Sequence, residues 1–405
     1  MKKKILLLVS LFFIIHCSLF INPCKADWVQ TNGMDVFTVY SITGNSNYLF
    51  AGTQYSGIYR STNNGLNWTQ TSLNNVSVYG LVFSGNTTYA GVLGGVYISN
   101  DNGNTWNLSP INTNTVFSLA ASGNNIFAGT GSGVYLSTNN GINWVQIGLN
   151  NKFVGSIITD GSNIFAGTDS YGVYNSTNNG ANWIQTTLND KSVYSLAIIG
   201  NRIFAGTSVY GVYVSTNNGV IWSQTALNNQ DVWALSISGN NLFAGTLNNG
   251  GVFLSTNFGM NWIQKNQGFS TVPSVPSLFV YNNYIFAGTQ GYNVWRRLIS
   301  DILSINKIST AVPDGYNLYQ NYPNPFNPVT KIKFDIQKTV VSSKYSVVTL
   351  KVFDILGKEI QTLVNEKLEP GTYEVTFVGR NLPSGNYFYK LTAGEYIKTN
   401  KMILK

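Results

Sequence analysis

Asn125-Ile126-Phe127-Ala128-Gly129-Thr130, followed by Ser137-Thr138-Asn139-Asn140-Gly141-Ile142-Asn143-Trp144, decides the fold, because both blocks recur along the chain. The first returns at Leu49 to Thr53, Thr88 to Val92, Ile164 to Thr168, Ile203 to Thr207, Leu242 to Thr246 and Ile285 to Thr289, at spacings of 38 to 43 residues. The second returns as Ser61 to Trp68, Ser99 to Trp106, Ser176 to Trp183, Ser215 to Trp222 and Ser255 to Trp262. Fixed-period repetition means that one small unit, unable to bury its own apolar face, is stacked on its neighbours.

Each unit reads as four short strands. Between Val116 and Gly148 these are Val116 to Ala121, Ile126 to Thr130, Gly133 to Ser137 and Asn143 to Gly148. The runs are rich in Val, Ile, Tyr, Phe and Trp, and they are split by Ser-Gly-Asn-Asn or Thr-Asn-Asn-Gly, whose Asn and Gly tolerate the positive φ of hairpin turns. Four strands every 40 residues or so are the signature of a propeller blade. The last unit, from about Phe269 to Leu298, supplies only three strands and lacks the second block. Asp27-Trp28-Val29-Gln30-Thr31 matches Asn67-Trp68-Thr69-Gln70-Thr71, so the first strand of the chain is expected to complete the last blade. The expected fold is all-β: a seven-bladed β-propeller over 27–300, a linker over 301–315, and a small antiparallel β-sandwich over 316–405.

Residues 1–26 read as a secretory signal peptide: Lys2-Lys3-Lys4, an apolar run from Ile5 to Ile15, and a polar stretch ending in Cys24-Lys25-Ala26. The run is too short to span a bilayer, and no transmembrane segment is expected in the mature chain. Cys17, Cys24 and His16 all lie in this segment. Cleavage after Ala26 therefore leaves no thiol and no imidazole, which excludes disulfides, Cys- or His-ligated metal and Ser-His or Cys-His nucleophiles. No metal and no cofactor are expected, although carboxylates and carbonyls alone remain a conceivable ligand set. The net charge of +8 is uninformative about partners, since 27–300 holds seven basic residues against seven aspartates. With no basic surface to neutralise phosphates, a nucleic-acid partner is excluded.

The second block resembles the Asp-box of sialidases, sortilin-like receptors and many bacterial propellers, with the pattern Ser-x-Asp-x-Gly-x-Thr-Trp. The copy Ser99, Asp101, Gly103, Thr105, Trp106 fits every fixed position, and the others put Asn at the Asp position. The resemblance implies a structural turn between third and fourth strands, with Asp101 or Asn capping backbone amides and Trp68, Trp106, Trp144, Trp183, Trp222 and Trp262 packing between blades. Asn caps equally through its carbonyl oxygen.

From Tyr316 the composition changes, and glutamate, absent before, occurs five times. The alternation in Thr349-Leu350-Lys351-Val352-Phe353 and Tyr373-Glu374-Val375-Thr376-Phe377 suits strands with one buried face. Tyr322-Pro323-Asn324-Pro325-Phe326-Asn327-Pro328, with Val352 to Glu359, Leu382 to Tyr389 and the terminal Lys401 to Lys405, resembles the type A sorting domain of the type IX secretion system. That resemblance implies Sec export, passage across the outer membrane through the type IX machinery, and a product on the cell surface or in the medium.

Catalysis by a sialidase mechanism is excluded, since 27–300 has no glutamate, four arginines and no Phe-Arg-Ile-Pro motif. The expected activity is non-enzymatic binding or adhesion to a glycan or protein. The loops of one face carry its candidate residues, Tyr55, Phe153, Asp169, Tyr171, Tyr210, Asp231 and Trp233. The alternative is a polysaccharide-acting glycoside hydrolase using two of Asp35, Asp169, Asp190 and Asp231.

Overall fold

In the computed structural model, Phe-Ala-Gly-Thr explains itself one residue at a time. The Phe (Tyr89 in the second copy) and Ala side chains are buried throughout, from Phe50 and Ala51 to Phe286 and Ala287. The Thr hydroxyl donates to the far end of the loop that follows, as from Thr53 to the Gly57 carbonyl (2.8 Å) and from Thr168 to that of Gly172 (2.8 Å). The Gly is a seat for the next repeat. A Cβ on Gly52 would lie 2.7 Å from Val78 Cγ1, one on Gly206 2.7 Å from Val232 Cγ1, and one on Gly288 2.7 Å from Val39 Cγ1. The last contact runs from the final repeat to the first, so the stack closes on itself.

The structure describes residues 27–405 except 257, 261, 300, 301, 303–305, 310, 338–345, 380 and 381. The expected signal peptide therefore lies outside the described residues. Two compact units divide the chain, Trp28–Leu303 and Ser304–Lys405.

In the first unit, β1 is Val29–Gln30, and one four-stranded antiparallel sheet holds β2 (Val39–Gly44), β3 (Leu49–Thr53), β4 (Ile58–Ser61) and β5 (Thr69–Gln70). A six-stranded sheet follows: β6 (Gly80–Ser84), β7 (Thr87–Ser99), β8 (Asn107–Ser122), β9 (Asn125–Thr130), β10 (Gly133–Ser137) and β11 (Val145–Gly148). Two further four-stranded sheets hold β12 (Val154–Asp160), β13 (Asn163–Thr168), β14 (Gly172–Ser176) and β15 (Ile184–Gln185), then β16 (Val193–Ile199), β17 (Arg202–Thr207), β18 (Gly211–Ser215) and β19 (Ser223–Gln224). Next come β20 (Val232–Ser238), β21 (Asn241–Thr246), β22 (Gly251–Ser255) and β23 (Ile263–Gln264). The last sheet of this unit has β24 (Ser277–Tyr281), β25 (Tyr284–Gly288) and β26 (Val294–Leu298), and its fourth strand is β1.

The expected closure is seen directly: Val29 pairs with Arg296 and Gln30 with Trp295, antiparallel. The first strands β2, β6, β8, β12, β16, β20 and β24 contact one another in that order, and β24 contacts β2. The six-stranded sheet holds the second and third repeats, and within it β7 folds back on itself at Leu93-Gly94, where Gly94 has positive φ, so that Thr87 Oγ1 donates to Asn100 Oδ1 (2.7 Å) and the expected second and third strands of that repeat lie side by side. Val92 stands where the other repeats have Thr, so no hydroxyl caps that loop, and the pairing of β7 with β8 shifts register between Leu93 and Gly95.

The tryptophans link the repeats in series. Trp68 Nε1 donates to Thr31 Oγ1 (3.0 Å), Trp144 to Ser109 Oγ (3.0 Å), Trp183 to the Ile147 carbonyl (3.2 Å) and Trp262 to Thr225 Oγ1 (3.2 Å). Each acceptor lies three residues beyond the preceding tryptophan of the series. Trp28 obeys the same rule, donating to the Lys265 carbonyl at 2.6 Å. Trp106 and Trp222 bond instead to their own turn, at the Gly103 and Gly219 carbonyls.

The turns before Trp68, Trp106, Trp144, Trp183 and Trp222 are closed by their own side chains. Ser137 Oγ donates to Asn139 Oδ1 (2.9 Å) and accepts from the Gly141 amide (2.8 Å), while Asn139 Oδ1 accepts the Asn143 amide (2.9 Å). The glycine is again a seat with positive φ: a Cβ on Gly65 would lie 2.3 Å from the Phe286 ring and one on Gly103 2.6 Å from the Phe50 ring. Asp101 makes the same bonds and one more, accepting Thr105 Oγ1 at 2.6 Å. These Thr105 bonds chiefly hold its pKa at about 2, below the ordinary aspartate value. A carboxylate with a depressed folded pKa stabilises fully above the unfolded value and loses that contribution as pH falls through the folded one. The wild-type melting temperature should therefore fall more steeply between about pH 4 and pH 2 than that of Asp101→Asn, which keeps the turn without the charge. Parallel melting-temperature profiles would show that Asp101 carries no such role.

The second unit has two four-stranded antiparallel sheets. One orders β27 (Asn306–Ser309), β32 (Gly371–Val378), β29 (Val329–Ile336) and β28 (Asn317–Leu318). The other orders β31 (Glu359–Leu368), β30 (Ser346–Phe353), β33 (Gly385–Ala393) and β34 (Tyr396–Leu404). Ile332, Phe334, Leu350, Val352 and Leu391 contribute to one buried cluster drawn from both sheets. Asn306–Ser309, inside the stretch 301–315 read from sequence as a linker, pairs with β32 and so belongs to the first of these sheets.

Candidate functional site

The first strands begin Val39-Tyr40-Ser41-Ile42, Val78-Tyr79-Gly80-Leu81, Val116-Phe117-Ser118-Leu119, Val154-Gly155-Ser156-Ile157, Val193-Tyr194-Ser195-Leu196, Val232-Trp233-Ala234-Leu235 and Val275-Pro276-Ser277-Leu278. The valine is buried in all of them, seated on the glycine of the preceding repeat. The serine or its equivalent pairs with the glycine of its own repeat. The residue between them is skipped by the ladder: Val39 faces Thr53 and Ser41 faces Gly52, leaving Tyr40 unpaired. The same bulge falls at Phe117, Gly155, Tyr194 and Trp233. A bulge bends the strand and re-aims the extra side chain, here into the space enclosed by the first strands. At the seventh copy Pro276 precedes the first ladder pair, where its missing N–H is no loss.

The result is a cavity of about 490 Å³ lined by these first strands. Its lining includes no Asp, Glu, Lys or Arg. Aromatic rings form a belt around it. Tyr40 stacks on Tyr79 (5.3 Å between centroids), Tyr79 meets Phe117 (5.3 Å), and Phe117 meets Phe153 (4.4 Å). Tyr194 stacks on Trp233 at 4.7 Å with 29° between planes. Where the bulge residue is Gly155, the ring comes from two residues earlier. A Cβ on Gly155 would lie 3.2 Å from Phe153 Cε1 and 3.1 Å from Tyr194 Cδ1, so these two rings close over the missing side chain. Burial, more than any neighbour, pushes the Tyr40 and Tyr194 phenols above their ordinary pKa, so the belt stays neutral.

Two carboxylates orient part of the belt. Asp169 Oδ1 accepts the Ser192 hydroxyl and the Tyr194 phenol (3.2 Å), and Asp231 Oδ1 accepts Trp233 Nε1 (3.0 Å). Of the residues singled out in the sequence, the structure thus brings Phe153, Asp169, Asp231 and Trp233 together. Tyr171 and Tyr210 lie outside the cavity lining, each under a lysine: Lys152 Nζ is 3.7 Å from the Tyr171 centroid and Lys191 Nζ 4.3 Å from that of Tyr210. Tyr55 is 70% exposed and sits at a left-handed position (φ 61°) that corresponds to Ser170 and Val209, not to the other two tyrosines. Asp190 is spent on Lys191 at 2.8 Å. Sequence reasoning passes over Tyr40, Tyr79, Phe117 and Tyr194, although the place after each first-strand valine is the signal that marks them.

In the second unit, the Pro323 to Pro328 stretch clasps the last strand. Asn324 Oδ1 accepts the Ile403 amide (2.9 Å), the Phe326 amide donates to the Ile403 carbonyl (2.9 Å), and the Lys405 amide donates back to the Phe326 carbonyl (2.9 Å). Phe326 is buried against Phe377, and the Pro323 carbonyl accepts from Thr330 Oγ1 and Asn321 Nδ2. Pro325 and Asn327 stay exposed, and the Pro328 carbonyl accepts the Gly379 amide.

Residues 320–405 match the family model described as a secretion system C-terminal sorting domain. That domain marks proteins exported by type IX secretion, and the chain is accordingly exported to the cell surface or medium. No curated protein matches the sequence. Among solved structures, YCF48 bound to D1 peptide is similar at a TM-score of 0.55 and 13% identity, over 67% of this chain and 97% of that one. The β-propeller domain of Cps50 (Swd1) from Myceliophteria thermophila is similar at 0.52 and 11%, over 66% and 99%. An ancestral GH74 enzyme is similar at 0.54 and 16%, over 93% of this chain and 63% of that one. At these identities the likeness concerns fold alone: Trp28–Leu303 is a β-propeller. Among the described residues no helix is long and apolar enough to cross a membrane.

Proposed function

We propose that this chain is a non-enzymatic binding or adhesion module, a seven-bladed propeller with Asp-box-like turns delivered outside the cell by a C-terminal sandwich. The count of seven takes the six-stranded sheet as two blades joined through β8, whose first part ends one blade and whose second part begins the next. One observation carries the binding reading: the first strands offer one variable residue each to the space they enclose, mostly at a bulge, and five of these residues, joined by Phe153, make an aromatic belt around an uncharged cavity. Aromatic side chains offer large contact area at low entropic cost and dominate binding hot spots. The ligand is a glycan or protein met at the surface or in the medium.

The fold hosts both classes of activity, as a peptide-bound YCF48 and a GH74 enzyme illustrate. A two-carboxylate hydrolase is the second reading, because Asp169 and Asp231 both act on the Tyr194 phenol electrostatically. Both spend one oxygen on orienting belt rings, which favours the binding reading. The test is a glycan and surface-protein array probed with wild type and with Tyr194→Ala and Trp233→Ala. Each substitution is expected to weaken the captured ligand by about 2 kcal/mol, or roughly thirtyfold. Unchanged binding would remove the cavity from the reading, and polysaccharide turnover abolished in Asp169→Asn or Asp231→Asn would replace it with the hydrolase.

A further inference from the structure

The belt is not electrically uniform. Tyr194 and Trp233 are bracketed, Asp169 bonding the phenol on one side and Asp231 the indole N–H on the other. Each carboxylate makes these bonds through Oδ1, and Oδ2 of neither has a hydrogen-bond partner among the described residues. No lysine or arginine among the described residues pairs with either one, whereas Asp190 has Lys191 and Asp101 is satisfied by its turn. Two half-buried negative charges therefore stand uncompensated beside a stacked pair of rings, at the edge of a cavity with no charged lining.

Resting on the binding reading above, we infer that the Asp169–Tyr194–Trp233–Asp231 sector receives a cationic side chain of a partner protein, arginine best of all. A guanidinium is planar, always charged, and suited both to carboxylate oxygens and to aromatic faces. It would answer a free Oδ2 atom and the charge of both carboxylates, which a neutral sugar leaves uncompensated. The indole N–H bond to Asp231 adds to the attraction by enriching the ring face in electron density. The uncharged cavity beyond explains why the charge stays at the rim, since an ion taken deeper would lose its hydration without a partner. Tyr194 and Trp233 already cover one face of each other, which leaves this pair less able to offer a broad platform to a pyranose ring.

The experiment is calorimetric titration of the purified protein with a capped pentapeptide, Gly-Gly-Arg-Gly-Gly, beside its citrulline and glutamate analogues and cellohexaose. The arginine peptide should bind saturably, with the affinity falling about tenfold in Asp169→Asn and again in Asp231→Asn, as expected for loss of one charge-assisted bond each. Raising sodium chloride to about 0.5 M should weaken it further. The citrulline peptide should bind at least about tenfold more weakly. Equal binding by citrulline, an unchanged affinity in the double Asp→Asn variant, or no saturable binding up to about 10 mM peptide overturns the inference. Cellohexaose binding that Trp233→Ala removes and the Asp→Asn changes leave intact also overturns it, while leaving the binding reading standing. Melting curves of the isosteric variants confirm that they remain folded.

Discussion

Trp28→Ala is expected to lower the melting temperature of Trp28–Leu303 by about 10 °C. Trp28 is 2% exposed, stacks on Phe269 at 5.0 Å and donates to the Lys265 carbonyl, so truncation both opens a cavity and orphans an acceptor. Buried Trp→Ala substitutions cost about 3–5 kcal/mol. In a domain of this size each kcal/mol moves the midpoint by about 2–4 °C. The loss is larger than at an ordinary core position because this strand holds the ring shut: Val29 and Gln30 pair with β26, and Thr31 is the acceptor for Trp68. Deleting Asp27 to Thr31 removes all of these at once and leaves β26 as an open edge, which invites pairing with other chains. Val29→Ala, at a 53% exposed position of the same strand, is the control and should shift the midpoint by less than about 2 °C. Calorimetry of the three variants checks the order; a Trp28→Ala midpoint within error of wild type would mean that the strand does not close the ring.

Removal of Leu318 to Lys405 is expected to abolish appearance outside the cell and to strand a folded propeller in the periplasm. The whole clasp around Pro323 to Pro328 and the last strand goes with the deletion, and with it the part of the chain that the secretion machinery engages. Phe326→Ala is the subtler version. Its ring is 1% exposed and its backbone holds both Ile403 and Lys405, so a cost of about 3–5 kcal/mol falls on the second unit alone. Surface proteolysis with fractionation of an expressing host should show the truncated protein wholly cell-associated and the Phe326→Ala protein displayed several-fold less. Normal display of the truncated form would locate the export signal elsewhere.

The architecture is legible in the sequence because it is written many times. Phe-Ala-Gly-Thr and Ser-Thr-Asn-Asn-Gly encode turns and seats whose chemistry is local, and the match of Trp28 to Trp68 gives away the closing strand. The belt is only half legible, for a physical reason. Val-Tyr-Ser-Ile reads as plain alternation, and nothing in it announces that the ladder skips Tyr40; the bulge is a property of pairing with Thr53 and Gly52. Phe153 and Trp233 stand out as conspicuous rings near strand starts, whereas Tyr194 looks like any strand tyrosine. Tyr171 and Tyr210 mislead in the opposite direction, since the lysines above them, Lys152 and Lys191, come from the preceding connection and are close only once the first and second strands of the same repeat pair, Val154 with Thr168 and Val193 with Thr207.

The bulge has an evolutionary corollary. Because the flanking valine and serine carry the packing, the residue between them is free to be rewritten without disturbing the fold, and each blade contributes one such letter. Gly155 and Pro276 are the two letters now left blank of a ring. On the binding reading proposed above, a library randomised at these positions alone would sample new recognition surfaces on an unchanged chassis.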